Sequence, residues 1–216
     1  MKALRLRYQT IEFDDIDIHV RTLRDNQQFS DVDGVAEKLG ISSASWPLFG
    51  IIWASGRVLA HLMVDYDVEG RRILEVGCGI ALASLVLNHR QADITATDYH
   101  PEAEKFLHEN VRLNQGESIP FVRTGWEDDP AALGRFDLII GSDLLYEHEH
   151  VDALSQFVER HATPQGDVVL VDPGRGHHAR FSKRMVSMGY SHQQHRPEPA
   201  DYLEQPFRGQ ILQYHR

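Results

Sequence analysis

Polar and apolar residues alternate in two short runs near the start of the chain, Leu4-Arg-Leu-Arg-Tyr8 and Ile16-Asp-Ile-His-Val20, with Asp14-Asp15 between them. A period of two belongs to strands, so this stretch predicts a β-hairpin. Residues 23–45 are polar and predict loop with one short helix. From Ile51 to Met63 the period lengthens. Ile51, Ile52, Val58, Leu59, Leu62 and Met63 recur at helical spacing, and Asp65 to Gly70 forms a turn.

Regular strand-helix alternation follows. Strands are predicted at Arg72–Val76, Asp93–Thr97, Ile119–Arg123, Phe136–Gly141, Asp167–Val171, Tyr190–His195 and Gln210–His215. Helices are predicted at Leu82–Asn88, from Pro101 in a first turn to about Asn114, at Val151–His161 and at Ala179–Met188. Phe136–Gly141 is almost entirely apolar, as a strand buried on both faces is. The pattern predicts an α/β protein: a Rossmann-like, doubly wound, seven-stranded sheet closing on an antiparallel last strand, with an N-terminal hairpin and helical appendage. Residues 1–64 are read as that appendage and 65–216 as the ligand-binding domain. Ligands of such sheets lie at the carboxyl ends of the strands, where the strand order reverses.

Candidate chemistry sits at those ends. The first core strand runs through Glu75 into Gly77-Cys-Gly79, and Asp98 closes the next strand about 20 residues on, the span of one βαβ step. Glycines let backbone approach a nucleoside, and the carboxylate accepts from both ribose hydroxyls. A dinucleotide site needs a third small residue at position 82, which is Leu82, and no Gly-Lys-Ser/Thr follows the turn. NAD and a P-loop are therefore disfavoured. An acid two residues ahead of the first glycine suits a ligand with an ammonium and no phosphate, which is S-adenosylmethionine.

Trp126 follows the third strand, placed either to stack on adenine, with Glu127 or Asp128 taking the exocyclic amine, or to cover the sheet edge. Ser142-Asp143-Leu-Leu-Tyr146 follows the fourth, beside the methyl position. Asp143 would orient an incoming amine or merely cap the next segment, and Tyr146 would wall the channel. A lysine must lose its proton before attacking, against a free pKa of about 10.4. Asp172-Pro-Gly-Arg175 is either a plain turn or a rim where Arg175 meets an acidic substrate. Trp46-Pro47 and Trp53 either close over the ligand or anchor the appendage.

Composition narrows the partners. Lys and Arg total 22 against 32 for Asp and Glu, a net charge of −10, which repels a phosphate backbone and argues against nucleic acid. Cys78 is the only cysteine, and no run of about 18 apolar residues occurs, so a cytoplasmic protein without a membrane span is expected. Thirteen histidines include Glu147-His-Glu-His150 and His177-His178. Neither has a zinc pattern, so no metal is expected and these are read as solvated surface histidines.

From Trp46 onward the chain resembles the seven-strand class I S-adenosylmethionine-dependent methyltransferases. Asp143-x-x-Tyr146 is similar to the Asp-x-x-Tyr/Phe motif of the family that holds many protein-lysine methyltransferases. Pro47-x5-Trp53-Ala-Ser-Gly56 and Asp172-Pro-Gly-Arg175 look closest to its electron-transfer-flavoprotein β-subunit branch, which includes bacterial proteins labelled nicotinamide N-methylases. The chain departs from the pattern at Ala81, a usual glycine, at Ala54, a usual proline, and at Gly125, a usual aspartate. The resemblance implies a cofactor set of Trp53, Glu75, Gly77, Gly79, Asp98, Tyr99, Trp126, Ser142 and Asp143, and a catalytic pair of Asp143 and Tyr146. It implies methyl transfer to a protein lysine. Methylation of a small heterocyclic nitrogen is the alternative, and a binding module without turnover is a third reading.

Overall fold

The computed structural model describes residues 5–25, 31, 34–43, 45–128, 130, 133–198 and 201–216. Leu4, which opens the first alternating run, and residues 26–30, 32, 33 and 44 of the polar stretch lie outside them. The hairpin comprises β1 (Leu6–Phe13) and β2 (Ile16–Leu23), paired antiparallel about Asp14, whose φ of 45° makes the tight reversal. A one-turn helix α1 (Val35–Lys38) and a 3₁₀ turn at Leu48–Gly50 lead to α2 (Ala54–Asp65). Ile51 and Trp53 are extended, so the helix starts three residues later than the apolar spacing suggests.

The sheet alternates with helices: β3 (Arg72–Val76), α3 (Leu82–His89), β4 (Asp93–Asp98), α4 (Ala103–Leu113), β5 (Phe121–Arg123), β6 (Phe136–Ser142), α5 (His150–His161), β7 (Ala162–Asp172), α6 (His178–Ser187), β8 (Ser191–His195) and β9 (Gln210–His215). Strand order is β5-β4-β3-β6-β7-β9-β8, with the first five parallel and β9 antiparallel to both its neighbours. The chain winds outward from β3 to β5, then crosses back to β6. The order therefore reverses between β3 and β6.

Boundaries differ from the pattern where backbone chemistry intervenes. β5 begins at Phe121 rather than Ile119 because Pro120 has no N–H for the ladder, although its carbonyl still accepts from Ala96 at 2.9 Å. Pro101 lies in the turn ahead of α4 rather than inside it, with Glu102 as the N-cap. β7 extends back to Ala162, opposite Phe136, across a register irregularity between Phe136 and Leu138.

Alternate residues feed two cores, as the pleat requires. Ile73, Leu138, Ile140, Val169 and Val171 pack with α2, α3, α4 and the hairpin. Leu74, Val76, Ile139, Val168 and Leu170 pack with α5 and α6. The hairpin docks through an amide within α4 and another at its C-cap. Asn110 Oδ1 accepts from the Arg21 N–H at 2.7 Å, and Asn114 exchanges bonds of 2.8 and 2.7 Å with the backbone of His19. One helical turn apart, the two asparagines serve the edge of β2 in place of a third strand.

Candidate functional site

At the end of β3 the chain turns through Gly77 (φ 61°) and Gly79 (φ 54°), conformations that suit glycine. A Cβ on Gly79 would stand 3.0 Å from the Phe49 carbonyl oxygen, and one on Gly77 would stand 2.7 Å from Leu144 Cδ2. The Cys78 N–H donates to Thr97 O at 2.9 Å, tying the turn to β4. Ala81, in place of the usual third glycine, is left-handed (φ 62°) and caps α3. That conformation costs an L-residue about 1–2 kcal/mol. Its buried methyl recovers part of the cost by packing.

Asp98 closes β4 against this turn. Its Oδ2 accepts from the Gly79 N–H at 2.8 Å and its Oδ1 from the His100 N–H at 2.8 Å. Burial raises its pKa while these backbone donors lower it. Glu75 is 4% exposed, and its Oε2 accepts from the N–H and the hydroxyl of Ser84, so it is committed to the first turn of α3. Burial pushes the Glu75 carboxyl up to about 7, against the pull of the Ser84 bonds. Sequence reasoning set Glu75 beside a ligand ammonium. It lines the cleft, but it also acts as the internal cap that α3 lacks at Ala81.

Across the switch point, β6 delivers Ser142 and Asp143. Asp143 has φ 54°, and its N–H donates to Val171 O at 2.9 Å. Arg175 grips its carboxylate with both arms, Nε to Oδ1 at 2.6 Å and NH2 to Oδ2 at 2.7 Å. Tyr146 follows, nearly half exposed, with its phenol pKa raised by burial and then by Glu147, Asp98 and Asp143. It is therefore a neutral wall at physiological pH and not a base.

The aromatic side holds Trp126, whose ring meets His150 edge-on at 5.0 Å, while His150 meets Tyr146 edge-on at 4.4 Å. His150 Nδ1 lies 3.2 Å from Leu144 O. His150 is thus a wedge between two cleft aromatics and corrects the expectation of a solvated surface histidine. Tyr146 and Leu144 are local to it, but Trp126 comes from 24 residues away, and that contact has no local pattern. His100 and His161 are likewise buried. Tyr99 donates to Leu39 O at 2.6 Å, and Trp53 to Leu48 O at 3.1 Å, tying the rim to the N-terminal segment. Phe49 stacks on His100 at 3.9 Å and completes that side.

All ten residues singled out from the sequence line one cleft of about 860 Å³, together with Ile41, Leu48, Phe49 and Arg175. Trp46 lies outside its lining, and its indole N–H donates to Ile41 O at 2.9 Å. The size is within the range of small-ligand sites. Close-approach glycines beside a half-buried, backbone-held carboxylate fit the nucleoside of S-adenosylmethionine. Charge is one-sided: among the described residues, Glu75, Asp98, Glu127, Asp128, Asp143, Glu147 and Glu149 share the lining with a single guanidinium, that of Arg175.

A family model described as lysine methyltransferase matches residues 41–186. The chain is 30% identical over 139 residues to protein N-lysine methyltransferase METTL21A of Danio rerio, covering 60% of this chain and 63% of that protein. It is 31% identical over 147 residues to the electron transfer flavoprotein beta subunit lysine methyltransferase of Xenopus laevis, covering 65% and 56%. The chain thus spans about three fifths of the length of these relatives. Among solved structures, ribosomal protein L11 methylase from Lactobacillus delbrueckii subsp. bulgaricus superposes with a TM-score of 0.62 at 20% identity, over 77% of this chain and 80% of that one. Magnesium protoporphyrin IX methyltransferase from Synechocystis PCC 6803, with bound SAM, gives 0.56 at 19%, over 74% and 76%. These two share the fold.

Proposed function

The chain belongs to the lysine methyltransferase family, and from that premise we propose that it methylates a lysine side chain of a protein, using S-adenosylmethionine. The observation that carries this reading is the meeting of the Gly77–Gly79 turn, Asp98, Asp143 and Tyr146 in one cleft at the strand-order switch. When bound, the donor supplies an electrophilic methyl on a positive sulfur; a lysine ammonium that has first lost one proton would take that methyl as a methylammonium, and the sulfur would leave as a neutral thioether.

The chain's own residues set the geometry. Asp98 would hold the ribose, with Gly77 and Gly79 admitting the ligand against bare backbone. Trp126, Tyr99 and Trp53 would border the adenine and the mouth, Ser142 the methyl position. Asp143 and Tyr146 would align the amine with the methyl carbon, since holding reactants collinear at near-attack distance can remove about 7–11 kcal/mol of a barrier. The acidic lining favours a cationic acceptor and disfavours nucleic acid. A cytoplasmic setting belongs to this reading, because the single cysteine is buried and free, and no described helix is long and apolar enough to cross a membrane.

The test is radiolabelled S-adenosylmethionine added to cognate lysate with the protein or its Asp143→Asn variant, followed by separation of proteins from metabolites. Label on a protein lysine, reduced in the variant, is expected. Label confined to small molecules would move the assignment to heterocyclic nitrogen.

A further inference from the structure

The arginine that pairs with Asp143 holds the place where the proposed acceptor's charge belongs. Its two bonds of 2.6 and 2.7 Å engage both carboxylate oxygens in bidentate geometry. Asp143 is largely sheltered, with 12% of its side chain exposed, whereas Arg175 is 45% exposed. Arg175 also sits between Gly174 (φ 98°) and Gly176 (φ 91°), and a Cβ on either glycine would meet nothing within 4 Å. The guanidinium is therefore carried on a glycine-flanked turn with open space around it, anchored where the Gly174 N–H donates to Asp172 Oδ1 at 2.8 Å, while its partner is fixed by a strand end and the bond to Val171 O.

Among the described residues no other lysine or arginine lines the cleft, and Glu127, Glu147 and Glu149 have no Lys or Arg partner. We infer that Arg175 is a specificity residue: a stand-in cation that occupies Asp143 until a positively charged acceptor displaces it. This inference rests on the reading of the cleft as a methyl-transfer site. Exchange of one cation for another keeps Asp143 paired, so a lysine ammonium can enter. A neutral ring nitrogen that pushed Arg175 away would leave a sheltered carboxylate unpaired, which is costly. The arrangement thus selects the charge of the acceptor before any chemistry.

The competing role is structural, with Arg175 holding Asp143 in position for the acceptor. Binding separates the two. The wild-type protein and Arg175→Gln are each saturated with S-adenosylhomocysteine and titrated with Nα-acetyl-lysine-methylamide, followed by NMR. If Arg175 occupies the site nine-tenths of the time, its removal tightens the lysine probe about tenfold. Arg175→Lys, which cannot span both oxygens, gives a smaller gain. The gain disappears in the Arg175→Gln/Asp143→Asn double variant, and nicotinamide shows none. No gain for the lysine probe in Arg175→Gln, whether binding is equal, weaker or absent in both proteins, overturns the inference, as does an equal gain for nicotinamide. S-adenosylhomocysteine affinity, expected within about twofold of wild type in the two Arg175 single variants, is the separate check: its absence in the wild type would sink the methyl-transfer reading itself.

Discussion

The carboxylate of Asp98 and the backbone of Gly79 are joined by a 2.8 Å hydrogen bond between residues nineteen apart, so the group proposed to hold the ribose also holds the glycine turn. Donor binding and turn geometry are therefore coupled. Asp98→Ala removes both, and with charged hydrogen bonds contributing about 1.5–3 kcal/mol each, S-adenosylmethionine affinity is expected to fall at least about 100-fold. Calorimetry on the two proteins measures this, and equal affinities would remove Asp98 from the donor site.

Glu75 predicts a pH dependence. Its carboxyl titrates near 7 in the folded protein against 4.5 as a free group, because burial disfavours the charged form. An acid with a raised folded pKa binds more protons when folded, so its contribution is full below about 4.5 and is lost as pH rises to about 7. At about 1.4 kcal/mol per unit, wild type should lose on the order of 3 kcal/mol from this group over that window. Glu75→Gln, which can still accept from Ser84, should show a flatter profile. Urea unfolding of both proteins from pH 5 to 8 decides, and parallel curves would exclude Glu75 as the source.

Gly79 and Ala81 share a left-handed backbone but should respond oppositely to a methyl group. Gly79→Ala adds strain of about 1–2 kcal/mol and drives a Cβ toward the Phe49 carbonyl. Ala81→Gly relieves similar strain but gives up a buried methyl worth about 0.8 kcal/mol and loosens the unfolded chain by about 0.4–1 kcal/mol. The first variant should be clearly less stable and the second within about 1 kcal/mol of wild type by chemical denaturation. A loss in Ala81→Gly as large as that in Gly79→Ala would refute this account.

Asn110 is fully buried, and its amide serves the Arg21 backbone. Asn110→Ala leaves that N–H without its partner, at about 1–3 kcal/mol. Hydrogen exchange should quicken at Arg21 and along β2 before the sheet responds. Unchanged protection in β2 would show that apolar packing alone docks the hairpin.

The sequence by itself determined the alternation of strands and helices, the glycine turn and the carboxylate one βαβ step beyond it. These are local matters: side-chain period, turn residues and spacing along a single unit fix them. Ser142, Asp143 and Tyr146 were legible for the same reason, since a strand end marks them. The tertiary structure decided what each polar group does there. Glu75 caps α3, Arg175 holds Asp143 from 32 residues away, Tyr99 ties to Leu39 across 60, and His150 wedges between Trp126 and Tyr146. Apart from the short step from Tyr146 to His150, none of these pairings has a local signature. A charged or polar side chain in a desolvated cleft must take whatever partner the fold brings within reach, and only the packed chain sets which one that is.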